Sequence, residues 1–340
     1  MRDSIYLTEL RSTFHRVRDK VEANRKCAGV MQDMSGDPKF LTDVLKHHLA
    51  KPGTLNTLHY PVVGIEIEAN EHFTLVANCW IPLPDRASNV STKAIHHHGD
   101  MLLTTATSFG PGYEHWTFET PAVVDATKEI YDLKLIERAP HPLNHVEFVD
   151  AYIAHLPLYP PETTITYALW SSRFPTTWKD RVKRFPLLQR NSSRLRSMAK
   201  KLGLAKQLEL KVVEYFDFYP TSEGFRGIRN REEFPLTTNE DYLASLFHIL
   251  QKTGNESLAV SVKNKLASGE KITNRPHVET LVKALEKGEV IDGRLSSSHY
   301  NVPQANFTVD EILAAMKIQD KNKRSTGSLA FDKKEVSNGR

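Results

Sequence analysis

Between about residue 60 and residue 170 the chain breaks into short β-rich runs with no helical period between them. The runs fall at 62–67, 73–81, 92–98, 101–108, 113–118, 129–136, 146–155 and 163–170. Turn-forming residues separate them: Pro82, Pro84 and Asp85; Gly110, Pro111 and Gly112; Pro140 and Pro142; Pro157, Pro160 and Pro161. Short strands at this spacing predict an antiparallel sandwich or barrel, because parallel pairing needs longer crossovers.

The flanks read differently. Residues 4–25 predict a mostly polar helix, and 38–50 an amphipathic one in which Phe40, Leu41, Val44, Leu45 and Leu49 recur at helical spacing before Gly53. After about residue 190 the helical period returns. Ser193–Leu204 predicts a basic helix, and Leu208–Phe218 a strand. One helix starts at Asn239, with Leu243, Leu246, Phe247 and Leu250 on one face. Another carries Val278, Leu281, Val282 and Leu285 and stops at Gly288. Thr308-Val309-Asp310-Glu311 is a capping box that opens a last helix through Met316. Residues 321–340 are polar and charged and predict a disordered tail.

Composition narrows the class. The chain has 340 residues, 40% hydrophobic and 25% charged, the balance of a globular protein with about two domains by length. With 45 basic and 41 acidic residues, the net charge of +4 argues against a nucleic-acid partner. The Ser193–Leu204 helix reads as a solvated basic face, since no recognition helix follows it. No run approaches 18 apolar residues, so no membrane span is expected. The polar lead Met1-Arg2-Asp3-Ser4 reads as no signal peptide. Cys27 and Cys79 are the only cysteines, which excludes a disulfide framework or cysteine zinc site and fits a reducing cytoplasm. Cys79 reads as a small core residue.

The chemistry gathers at Ile95-His96-His97-His98-Gly99-Asp100. On a strand over 92–98, His96 and His98 share one face and His97 points to the other. Two imidazoles on one strand face can converge on a metal ion such as iron, zinc, copper or nickel. The third ligand is expected at His155, at the end of a strand His145–His155 in which Val149, Ala151 and Ile153 share its face. His145 is the rival third ligand, and His115 and His141 read as loop or rim histidines. Three imidazoles leave coordination positions open for substrate or oxygen. Gly110-Pro111-Gly112-Tyr113 lacks a phosphate-loop pattern and reads as a tight hairpin turn. Trp80, Trp116, Trp170 and Trp178 are expected to pack the β core and its rim.

These residues resemble the first motif of the cupin superfamily: H-x-H, a short spacer, usually Glu, six residues, then Gly. Here His96-His97-His98 is followed by Gly99 to Leu102, Leu103 in place of the glutamate, Thr104 to Phe109, and Gly110. Losing the glutamate leaves a three-histidine site, as in thiol dioxygenases, whose strand and proline turn Asn78-Cys79-Trp80-Ile81-Pro82 also resembles. His155 before the strand Thr163–Trp170 is similar to the second cupin motif, without its Pro-x-Gly. The resemblance spans roughly residues 60–175. It implies a mainly β core, a cupin-like double-stranded antiparallel β-barrel, with a helical N-terminal arm and a helical C-terminal region, α+β overall. The expected segments are a helical extension over 1–53, the barrel with its metal site over 54–190, a mostly helical region over 191–320 and the tail over 321–340.

By the same resemblance the metal is Fe(II), with Zn, Mn or Ni as alternatives, and the activity is that of a dioxygenase or oxidase acting with O₂ on a small polar substrate. Three neutral ligands leave the metal's charge uncompensated, which favours an anionic chelating substrate. His98 and Asp100 with His155 form the competing 2-His-1-carboxylate set, which resembles 2-oxoglutarate enzymes. Tyr113 and Tyr167 are candidate groups behind the ligands, and Arg173 is a candidate partner for a substrate carboxylate. A metal isomerase or lyase, or a non-enzymatic ligand-binding cupin, are the other readings. The C-terminal helical region is an expected site of homodimerisation, barrel capping or partner binding.

Overall fold

The structure is a computed structural model that describes residues 4–58, 62–82, 89–91, 95–173, 214–221, 224–230, 238–293, 304–308 and 310–317. The expected helix 193–204, residues 92–94 of the third predicted strand, the start of the Leu208–Phe218 strand, the Val309 step of the capping box, Trp178 and the 321–340 tail lie outside the described residues.

Four helices open the chain: α1 (Ile5–Arg16), α2 (Lys20–Lys26), α3 (Ala28–Ser35) and α4 (Pro38–Ala50). The single helix expected over 4–25 is two. Asp19 takes an extended conformation and its carboxylate accepts from Glu22 N, which restarts the helix at Lys20. Helix α4 starts as its sequence demands, with Asp37 accepting from Lys39 N and Pro38 at the first helical position. Its buried residues are the expected Phe40, Leu41, Val44, Leu45 and Leu49. Helix α3, absent from the sequence reading, buries Val30, Met31 and Met34.

The strands follow: β1 (Val63–Ala69), β2 (Thr74–Trp80), β3 (Asn89–Ser91), β4 (His96–His97), β5 (Met101–Phe109), β6 (Tyr113–Phe118), β7 (Ala122–Asp125), β8 (Ile130–Asp132), β9 (Leu135–His141), β10 (Val146–Val149), β11 (His155–Pro157), β12 (Thr164–Ser172), β13 (Glu214–Thr221) and β14 (Gly224–Asn230). Helices α5 (Asn239–Lys252), α6 (Ala259–Ala267) and α7 (Arg275–Lys287) come next, then β15 (Gln304–Thr308) and a helical segment over 310–317. Helix α5 opens on a reciprocal capping box between Thr238 and Asp241, and α7 closes on Gly288 at φ 67°.

The strands form two antiparallel sheets, ordered β1-β2-β12-β5-β10 and β7-β8-β14-β13-β4-β11-β6-β9. Strands β3 and β15 pair separately. From β4 to β12 the chain passes back and forth between the sheets: β4, β6, β9 and β11 in the larger, β5, β10 and β12 in the smaller. This rolled, double-sheet arrangement is that of a double-stranded β-helix. Strands β13 and β14, from beyond residue 190, extend the larger sheet beside β4.

Side-chain alternation divides the smaller sheet. Leu75, Ala77 and Cys79 on β2 and Ile165, Tyr167 and Leu169 on β12 join a core built with residues of α1 to α7. Asn78 and Trp80, and Thr166, Ala168 and Trp170, face the other way, towards the larger sheet. Two polar ties hold the helices in place. Asn24 on α2 donates to Ser171 Oγ at 2.7 Å and accepts from Thr104 Oγ1 at 3.0 Å. His248 on α5 sits 2.8 Å from Thr163 Oγ1, just before β12, and 2.7 Å from Ile291 O.

Candidate metal centre

Strand β4 is short, but its register is decisive. His96 pairs with His155 on β11 and with Tyr215 on β13. Alternation sends His97 away from the cavity: it is buried, its Nδ1 accepts from Gly99 N at 3.1 Å, and its ring lies 5.9 Å from that of Tyr152. His98 returns to the side of His96.

His155 arrives by a different route from the one its sequence suggests. No continuous strand runs from 145 to 155. Strand β10 ends at Val149, and Tyr152 takes a left-handed φ of 61° while its N–H donates to Gly99 O at 2.8 Å. That turn carries the chain from the smaller sheet to the larger, which places β11 between β4 and β6.

His96, His98 and His155 converge. One ring nitrogen of each lies within 4.8 Å of the others. Ring centroids are 4.5 Å apart for His96–His98 and His96–His155, and 4.9 Å for His98–His155. A metal bound at about 2.0–2.1 Å by imidazole nitrogens holds them at most about 4.2 Å apart, so a single ion is reached from this spacing by side-chain shifts of a few tenths of an ångström. The donor set fits as well. Burial, reinforced by repulsion from His96 and the neighbouring histidines, holds His98 and His155 well below the usual imidazole pKa. Both stay neutral, with lone pairs available to a cation. His155 Nδ1 donates to Ile153 O at 3.3 Å, which leaves Nε2 for a ligand bond.

The three rings open on a cavity of about 520 Å³ between the sheets. Trp170 packs on His98 with ring centroids 4.3 Å apart, and Trp80, Leu103, Thr105, Tyr113 and Thr166 contribute further wall. Tyr113 stacks on His141 at 4.9 Å. Burial, opposed by a hydrogen bond with Thr105, raises its pKa, so the hydroxyl stays protonated.

The other sequence candidates fall elsewhere. Tyr167 lies on the opposite face of β12, in T-shaped contact with Phe40 at 5.5 Å, and belongs to the helix–sheet core. Arg173 is outside the cavity lining and pairs with Asp150 at 3.0 Å. Asp100 is not part of the convergent group; its Oδ2 accepts from Ser172 Oγ at 3.1 Å. His145 is exposed at the start of β10, with its ring 4.9 Å from that of His141. The Gly110–Gly112 turn joins β5 to β6 across the two sheets, so it is a crossover turn and not a hairpin.

Two histidines read as rim residues are interior. His115 on β6 and His141 on β9 are both buried. His115 lines the cavity, its ring 5.4 Å from His155, and its Nδ1 lies 2.6 Å from Glu147 Oε1 on β10. Burial opposes the charge on Glu147, but the close approach of His115 and the nearby histidines outweigh it and lower the carboxyl pKa. The signal was present in the sequence: His115 shares strand parity with Tyr113 and Thr117. His141 Nδ1 is 2.7 Å from Thr107 Oγ1.

No protein-family model matches the chain, and no curated protein matches it. Solved structures do. TT1209 from Thermus thermophilus is 10% identical over 33% of this chain and 83% of its own, with a TM-score of 0.23. A Klebsiella pneumoniae protein with a double-stranded β-helix domain is 10% identical over 34% and 79%, with a TM-score of 0.22. An oxalate oxidase bound to glycolate is 11% identical over 48% and 79%, with a TM-score of 0.24. The chain's own strand order, with three histidines converging between its sheets, is that of a cupin-like double-stranded β-helix.

Proposed function

We propose that this chain is a mononuclear non-haem metalloenzyme, an Fe(II) dioxygenase or oxidase, whose ligands are His96, His98 and His155. The observation that carries the reading is the convergence of three imidazoles, two of them held neutral by burial, on a cavity between the sheets, with no carboxylate in the group. Bound iron supplies Lewis acidity and one-electron chemistry with O₂. The chain's own residues do the rest. His155 is oriented by Ile153 O, and Trp80, Leu103, Ala168 and Trp170 give the space beside the three rings an apolar side. Tyr113 keeps a hydroxyl proton near the substrate space. Among the described lining residues there is no charged side chain, so an anionic group on the substrate has the metal as its counter-charge.

Elemental analysis of protein purified without oxygen tests this. Iron near one per chain is expected in the parent protein, in His97→Ala and in Asp100→Ala, and is expected to be lost in His96→Ala, His98→Ala and His155→Ala. An iron-replete His96→Ala protein overturns the ligand set. Iron lost in Asp100→Ala and kept in His96→Ala points instead to a 2-oxoglutarate type of site. Oxygen uptake during turnover separates an oxygenase from a metal isomerase or lyase.

A further inference from the structure

The cavity is directional. Trp80 on β2 stands opposite Thr164 of β12, and its indole leans back onto Thr166, four positions before Trp170, which corresponds to about 13 Å of strand. The two indoles therefore mark opposite ends of the space. Trp170 lies against His98 at the ligand end. Trp80 lies at the far end, with Tyr113 and Tyr159 around it at centroid distances of 5.5 and 5.4 Å. The Trp80 indole N–H donates to Thr166 Oγ1 at 3.2 Å, so this side chain offers a substrate its ring face rather than a polar contact.

Size and polarity agree with this direction. A cavity of about 520 Å³ lies in the range, roughly 300–1,000 Å³, that takes molecules of drug size, and exceeds what a two- or three-carbon acid fills. Its described wall carries hydroxyl, amide and imidazole groups but no Lys, Arg, Asp or Glu. Among the described lining residues, a polyanion meets no cationic Lys or Arg side chain away from the metal.

Resting on the metal-centre reading above, we infer that the substrate is an elongated, flat molecule of about two rings. It carries adjacent chelating oxygens at one end, for the metal, and an uncharged aromatic body that reaches the Trp80–Tyr113 end. The sequence alone suggests a small polar substrate, and this reading enlarges it.

The test titrates Fe(II)-loaded protein, without oxygen, with naphthalene-2,3-diol, catechol and oxalate by calorimetry. Metal content is measured on the same samples. Catechol reports chelation alone, and the second ring reports the far end. The naphthalenediol is expected to bind about tenfold tighter than catechol, the size of one good aromatic contact. Trp80→Ala is expected to remove that advantage while leaving catechol affinity and iron content unchanged, and Trp80→Phe to retain most of it. Thermal unfolding confirms that each variant is folded. Should Trp80→Ala fail to fold, the comparison of the ligands on the parent protein and Trp80→Phe still decides. Equal binding of both diols, or tighter binding of oxalate, overturns the two-ring substrate and leaves the metal centre standing. Protein that takes up no iron and binds neither diol overturns both.

Discussion

At the residue scale, burial controls the chemistry of the ionisable side chains. His141 shows this outside the metal group. Burial, partly offset by Glu147 and reinforced by His145 and His115, lowers its pKa to about 4. An unfolded histidine titrates near 6.5, so between those values the unfolded chain binds more protons than the folded one, and stability rises with pH. The contribution is complete above about pH 6.5 and is lost as pH falls towards 4, about 3 kcal/mol at most for this residue. Urea unfolding across that window is expected to show a slope that shrinks by about one proton in His141→Gln. Burial also raises the thiols of Cys27 and Cys79 to about 12. Neither is expected to react with iodoacetamide in the native protein at neutral pH, and both are expected to react after unfolding.

At the scale of elements, turns decide which sheet each strand enters. The link from β5 to β6 must cross between sheets in three residues, and Gly110 and Gly112 do so at φ 81° and 83°. A Cβ on Gly112 would sit 2.0 Å from His141 O, and one on Gly110 2.2 Å from Thr163 O. Gly112→Ala is therefore strained in both backbone and packing. It is expected to cost about 3 kcal/mol or more, measured by chemical denaturation, and to weaken metal retention because β6 flanks β11. The same logic explains a misreading. The segment 146–155 alternates well enough to look like one strand, yet Tyr152 turns it, because β10 and β11 serve different sheets.

At the scale of the whole molecule, the helices complete the sheet rather than decorate it. One face of β2 and β12 is apolar and is covered by residues of α1 to α7. Phe40 on α4 meets Tyr167 there. Phe40→Ala is expected to destabilise the protein by about 3–5 kcal/mol in thermal or urea unfolding, with iron stoichiometry preserved while the protein remains folded. Among the described residues, no helix is long and apolar enough to cross a membrane.

Local chemistry was legible along the chain. Turn residues marked the strand series, helical periodicity located α4, α5 and α7, and period-two alternation placed His96 and His98 together and His97 apart. These features depend on neighbours a few residues away, so a linear reading captures them. Which sheet a strand joins depends on partners that lie tens of residues distant. That long-range pairing brought His155 to His96, buried His115 beside Glu147, turned Tyr167 towards the helices, left Asp100 outside the convergent histidine group and set the size of the cavity.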